Sequence, residues 1–209
     1  KGAYFEKEIT KAMKEGRMDK VEYDPALSVN TARDLWGAWG GDDTAIRFFQ
    51  LFGKEIRVID YREGSWYSME EIIESQIKTR NYRYGTHIWP HDMKVHEYSS
   101  GKTRFLSAYQ LGLQFRVLPL SKVSDGIDAV RSIFPNVYID YLHCKKGVDK
   151  LNAYRRSYDQ KNWVLREKPA KNGCQHAADA FRYMAIGIIE PVRREDYRAQ
   201  AIDYSSFWG

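Results

Sequence analysis

Across 209 residues the chain carries 33 Lys and Arg against 28 Asp and Glu, a net charge of +5 with a pI near 9.0. With 43% hydrophobic and 29% charged residues it has the composition of a folded globular chain and not of a disordered one. No apolar run approaches the roughly 18–20 residues of a membrane span, so no membrane role is expected. The two cysteines, Cys144 and Cys174, form no CxxC pair and no disulfide framework, which fits a reducing, intracellular setting. There is no signal-peptide pattern and no initiating Met, so the chain is expected to be an unsecreted piece of something longer. The mild cationic excess permits a polyanionic partner without demonstrating one.

In chain order, Phe5, Ile9 and Met13 share one helical face and predict a helix over 3–16. A loop over 17–30, punctuated by Asp24-Pro25, follows. Val29–Leu35 reads as a strand and Gly37–Asp43 as a turn-rich stretch, with Asp42 and Asp43 as turn formers. Thr44–Phe52 and Glu55–Tyr61 read as a β-hairpin about Gly53-Lys54. Ser68-Met-Glu-Glu71 is a capping box opening a helix to Arg83. Thr86–Trp89 is a short strand stopped by Pro90, Lys102–Gly112 a helix, Phe115–Leu120 a strand, and Ser124–Phe134 a helix ended by Pro135-Asn136. Val148–Asp159 is expected to be helical, Trp163–Glu167 extended, and Gln175–Ile189 strongly helical.

An antiparallel block of the first three strands, followed by alternating helices and strands, predicts an α/β fold: one mixed central sheet with helices on both faces. The chain divides into an N-terminal helix and junction (1–28), the main domain (29–190) and a charged, then aromatic, tail (191–209).

Asp34 ends a predicted strand and Asp92 directly follows another; strand carboxyl ends are where sites assemble in open α/β sheets. Asp179 sits on the last helix beside Ala177, Ala178 and Ala180, small residues that let a helix pack closely on a sheet. Three carboxylates converging from separate elements repel one another unless a cation lies between them, and Mg²⁺ or Mn²⁺ prefers such oxygen ligands. Against this, most of the 28 acidic residues must be solvated or capping, so spacing alone carries little weight. His176, three residues before Asp179, shares its helical face and could contact a metal, orient water or cap a neighbour. Lys94, Lys102 and Arg104, and the pair Lys145 and Lys146, are candidate phosphate-binding cations; Arg33 near a strand end is a weaker one. The stripe Tyr82, Tyr84 and Trp89 reads as packing. Ser100-Gly101-Lys102-Thr103 lacks the first glycine of a P-loop, and the histidines and Cys144 lack zinc-module spacing.

Three segments resemble the C-terminal nuclease domain of the large terminase subunit of tailed bacteriophages, a member of the RNase H-like superfamily. These are Thr31-Ala-Arg-Asp34-Leu-Trp-Gly37 with Gly41-Asp-Asp-Thr-Ala-Ile46, then Trp89-Pro-His-Asp92, and last His176-Ala-Ala-Asp179-Ala-Phe-Arg-Tyr183. The resemblance runs from residue 2 to about 190. It implies that Asp34, Asp92 and Asp179 bind two Mg²⁺ or Mn²⁺ ions and that the domain cuts concatemeric double-stranded DNA during packaging in the host cytoplasm. Implied partners are a terminase ATPase domain, absent from this sequence, the small terminase subunit and the portal protein. The alternatives are another RNase H-like nuclease, such as a junction resolvase, or a non-catalytic DNA- or portal-binding module.

Overall fold

The computed structural model describes residues 2–34, 43–65, 68–91 and 113–190. Helix α1 (Glu6–Lys14) leads into a short strand β1 (Met18–Asp19) and then β2 (Val29–Asp34), β3 (Asp43–Phe52) and β4 (Glu55–Ser65). Helix α2 (Met69–Ile72) runs on as a π-helix, Ile73–Lys78, before β5 (Tyr84–Trp89) and β6 (Phe115–Val117). Helix α3 (Val123–Ile133), a 3-10 turn (Phe134–Asn136), β7 (Val137–Asp140) and α4 (Tyr141–Ala153) follow. A two-stranded hairpin, β8 (Arg156–Asp159) and β9 (Val164–Pro169), precedes the closing helix α5 (Gln175–Ile189).

Seven strands form one sheet in the order β1-β7-β4-β3-β2-β5-β6. β2–β3 and β3–β4 are antiparallel, as the sequence predicted, and the other pairings in this sheet are parallel. β3 therefore runs against all its companions, and the carboxyl ends of β2, β4, β5 and β7 share one edge. The turn between β3 and β4 is made by Gly53 at φ 58°, a conformation a side chain disfavours. A bulge between Phe48 and Phe49 keeps Phe48 and Ile59 on one face of the sheet while Phe49, Val58 and Tyr61 serve the other.

Each face has its own core. On one, Ala32, Ala45, Val58, Tyr61 and Ile139 pack against α1, α3, α4 and α5; on the other, Ile46, Phe48 and Trp89 pack against Ile72, Ile73 and Ile77. Ala177, Ala178 and Ala180 are wholly buried, so α5 lies close on the sheet as its small residues suggested. α4 closes equally tightly: a Cβ on Gly147 would stand 2.8 Å from the Tyr61 ring.

Some sequence expectations need correction. The helix placed over Val148–Asp159 begins at Tyr141 and ends at Ala153, and 156–159 is a strand. Leu142 in its first turn is 83% exposed, which breaks the apolar spacing and hid that half of the helix. β7 escaped notice because it passes straight into α4, with Asp140 capping the His143 N–H at 3.0 Å instead of a Gly or Pro marking the junction. The helix expected to Arg83 stops at Lys78, where the Ser75 and Thr79 hydroxyls bond back to the Glu71 and Ser75 carbonyls. Met13 is half exposed; α1 buries Ile9 and Ala12 beside Phe5. The strand at Phe115 spans three residues.

Candidate functional site

Asp34 is the last residue of β2 and is almost fully buried, on the sheet face that α5 covers. Its Oδ2 lies 2.8 Å from Nδ1 of His176, in the first turn of α5. A carboxylate can only accept, so Nδ1 carries the proton and donates it to Asp34. This bond fixes both the imidazole tautomer and one carboxylate oxygen.

Asp179 stands one turn further along α5, and Arg182 one turn beyond that. Nη2 of Arg182 reaches Oδ1 of Asp179 at 2.9 Å, as a single contact and not a bidentate one. The stem of Arg182 lies over Gly126 of α3, where a Cβ would come within 3.0–3.2 Å of its Cβ, Cγ and Cδ. The absence of a side chain at Gly126 therefore sets where the guanidinium sits. Burial pushes the Asp179 carboxyl up to about 6. Arg182 pulls it down, the negative charge of Asp34 adds to the rise, and His176 opposes it. Two acids from separate elements thus share one neighbourhood, and the cations present do not fully compensate them.

Below this layer Arg47 of β3 is completely buried. Its Nη2 donates to the Ala177 carbonyl of α5 at 3.1 Å and lies 3.4 Å from the Gly147 carbonyl of α4. Its guanidinium stacks on Phe181 at 4.6 Å and Tyr61 at 4.9 Å. It straps both helices to the sheet directly under the acids.

Asp140, although at the same sheet edge, is otherwise engaged. Burial would raise its pKa, but hydrogen bonds from the His143 backbone, the His143 ring and the Val21 N–H outweigh that and hold it low. Among the described residues no group of three His, Cys, Asp or Glu side chains is placed to hold a metal ion. Asp92, the third predicted acid, lies outside the described residues, three positions beyond the end of β5. The Asp34–Asp179 pair, oxygen-donating and short of positive charge, fits a hard divalent cation.

No protein-family model and no curated protein matches the sequence. The fold does have solved counterparts. The large terminase of the thermophilic bacteriophage D6E superposes with a TM-score of 0.62 at 17% identity, over 83% of this chain and 43% of that one. The P22 large terminase nuclease domain gives 0.57 at 17% identity, over 81% and 86%. The large terminase nuclease of thermophilic phage G20c with bound magnesium gives 0.56 at 12% identity, over 88% and 97%. This chain has the fold of a large terminase nuclease domain. It spans less than half the length of the D6E terminase but nearly all of the P22 and G20c nuclease domains. The G20c nuclease has also been solved with bound cobalt, on the same fold with a TM-score of 0.53.

Within that fold the remaining predicted residues fall as follows. Lys145 pairs with Asp149 at 2.6 Å, and Lys146 pairs with Glu63 at 2.6 Å, both on α4 with exposed side chains. Lys94, Lys102 and Arg104 lie outside the described residues. Arg33 is not at the site: it points to the opposite sheet face, wholly buried over the Trp89 ring at 4.6 Å. His87 is likewise internal, bonded to Thr31 at 2.7 Å, and burial lowers its pKa to about 3. Trp89 is core, and Tyr82 and Tyr84 pack against the same cluster.

Sequence reasoning missed Arg182, Gly126, Arg47 and Glu63. Arg182 was within reach, since it follows Asp179 at the i+3 spacing that brings helical side chains together. The others reveal themselves only through strand register and helix packing.

Proposed function

We propose that this chain is the metal-dependent endonuclease domain of a phage large terminase, cutting double-stranded viral DNA during packaging. The observation that carries the proposal is the Asp34–Asp179 pair at the carboxyl edge of the sheet, under-compensated in charge, on a fold shared with nucleases solved with magnesium or cobalt. Asp34 and Asp179, with Asp92 as third ligand, would hold Mg²⁺ or Mn²⁺, two ions in all. When bound, such ions activate water and stabilise the leaving oxygen of a phosphodiester.

The protein's part is largely positional. His176, through Nδ1, holds Asp34 in one rotamer and presents its remaining lone pairs outward. Arg182 ties one oxygen of Asp179 and leaves the other available. With a pKa of about 6, Asp179 is mostly ionised at neutral pH and ready to act as a ligand. Beyond the chain, we propose a terminase ATPase domain, the small subunit and the portal as partners, in the cytoplasm of the infected host.

The test is cleavage of linear duplex DNA with Mg²⁺ or Mn²⁺. Activity should vanish with EDTA and in Asp34→Ala. Robust cleavage by an Asp34→Ala/Asp179→Ala double variant would sink the proposal.

A further inference from the structure

Strand register places a second charged group beside the acid pair. Asp34 of β2 faces Ala45 of β3, and Ala45 faces Glu63 of β4, so the three lie in one row across the sheet. Residues paired across strands share a face, so Asp34 and Glu63 both point towards the α4–α5 layer. Two inter-strand spacings of roughly 4.8 Å separate their backbones by about 10 Å.

Glu63 is 8% exposed and holds two ammonium groups on one oxygen: Lys146 Nζ at 2.6 Å and Lys150 Nζ at 2.8 Å, both on Oε1. The Tyr61 hydroxyl donates to its other oxygen. Lys146 and Lys150 are i,i+4 on α4, a spacing at which like charges repel, and one carboxylate cannot neutralise both. The trio keeps a net positive charge. Lys146 is 69% exposed and Lys150 23%, so the surplus charge is presented at the rim. Lys150, with Arg155, also acts on Cys174, the residue that caps α5 two positions before His176. The cations therefore lie on the side of α4 that faces the metal-binding carboxylates. The contact of Gly147 with the Tyr61 ring holds α4 at this distance from β4.

We propose that Lys146 and Lys150, held in place by Glu63, bind a non-scissile backbone phosphate of the DNA strand whose cleavage is proposed above. At about 3.4 Å of duplex axis per phosphate on a strand, 10 Å places that phosphate within about three of the reacting one. Lys150 and Lys146 are the contacting groups; Glu63 is a positioning residue. The recognition is of charge and spacing, with no base readout.

Because this rests on the nuclease function, the deciding measurement is made without hydrolysis. Binding of the 209-residue chain to short duplexes of unrelated sequence is titrated with salt in EDTA. Lys146→Met/Lys150→Met should bind every duplex about ten-fold or more weakly, with the slope of log K against log salt shallower by about 1–2, at roughly 0.9 per phosphate contact. Lys146→Arg/Lys150→Arg should restore most of both. Unchanged affinity and slope in the folded Met variant, or a wild type that binds no duplex at low salt, would overturn the proposal. If the double variant does not fold, the single Lys150→Met variant is read in the same way. Glu63→Gln removes a negative charge yet should slow single-turnover cleavage, because the lysines lose their anchor. Loss of Mn²⁺ binding in Glu63→Gln would overturn the assignment by making Glu63 a metal ligand. A wild type that never cleaves would instead refute the nuclease function and leave the salt slopes to decide the phosphate site.

Discussion

Replacing Asp179 by Asn should make the metal-free protein more stable at neutral pH while abolishing metal binding. Burial and the charge of Asp34 raise the Asp179 carboxyl from 3.8 to about 6 despite the ion pair with Arg182. The folded state therefore holds this proton more tightly than the unfolded chain does. Stability from this group is complete below about pH 4, declines as pH rises, and is fully lost above about pH 6. At 1.36 kcal/mol per pKa unit the loss approaches about 3 kcal/mol. Asn cannot ionise, and its carbonyl can still accept from Arg182, so Asp179→Asn recovers most of that loss. Part is offset because Arg182 loses its counter-charge, which leaves an expected gain of about 1–3 kcal/mol at pH 8. For a chain of this size that is roughly 3–10 °C in Tm.

The assay is urea unfolding of both proteins in EDTA at pH 4 and pH 8. The variant should match the wild type at pH 4 and exceed it at pH 8. Mn²⁺ should then raise the wild-type midpoint, in proportion to ln(1 + [L]/Kd), and leave the variant unmoved. An Asn variant no more stable than wild type at pH 8, or equally stabilised at both pH values, would refute the account of Asp179 as an under-compensated acid.

His176→Ala should weaken Mn²⁺ binding and cleavage by about 10–100-fold, because Asp34 loses the donor that fixes its rotamer; calorimetric titration checks the first and single-turnover kinetics the second. Arg33→Met should stabilise the fold by about 1–4 kcal/mol in urea unfolding, since none of its guanidinium nitrogens has a hydrogen-bond partner and burial lowers its pKa to about 9. That penalty is constant below about pH 9, so the gain should be the same at pH 6 and pH 8. Arg47→Met should have the opposite sign, a loss of about 1–3 kcal/mol in the same assay, because Arg47 donates to the Ala177 carbonyl and stacks on Phe181. Gly147→Ala should lose about 1–3 kcal/mol by forcing α4 away from Tyr61, read as a lower urea midpoint at unchanged m-value.

Much of the fold was legible because its signals are local. The β3–β4 hairpin declares itself through Gly53-Lys54 between apolar runs, and α5 through its apolar and small residues at helical spacing. β7 and the first half of α4 were not legible: a four-residue strand abuts a helix whose first turn exposes Leu142, so neither period persists long enough to register. At the site, Asp34 and Asp179 could be named from strand ends and flanking motifs, but their proximity could not. That depends on β2 lying under α5, a tertiary fact no local pattern carries. Arg33 shows the converse. Adjacent to Asp34 in sequence, it belongs to the opposite side of the sheet, because strand side chains alternate.

The same alternation explains how one sheet edge can gather acids and cations without mutual cancellation. β3 runs against its neighbours, so the carboxyl ends of β2 and β4 emerge on the same edge with only Ala45 between them in the row. Asp34 turns to α5 and meets His176; Glu63 turns towards α4 and meets Lys146 and Lys150. Gly147 and the buried alanines bring the two helices down to the sheet, and Arg47 straps both from below. A row of three residues thus separates an oxygen-rich corner, short of positive charge, from a surplus-cation corner about 10 Å away. A polyanion can bridge the two, its reacting phosphate at the acids through metal and a neighbouring phosphate at the lysines. The two ends fail separately under mutation: carboxylate substitutions remove metal binding without changing the salt slope of DNA association, and lysine substitutions change the slope.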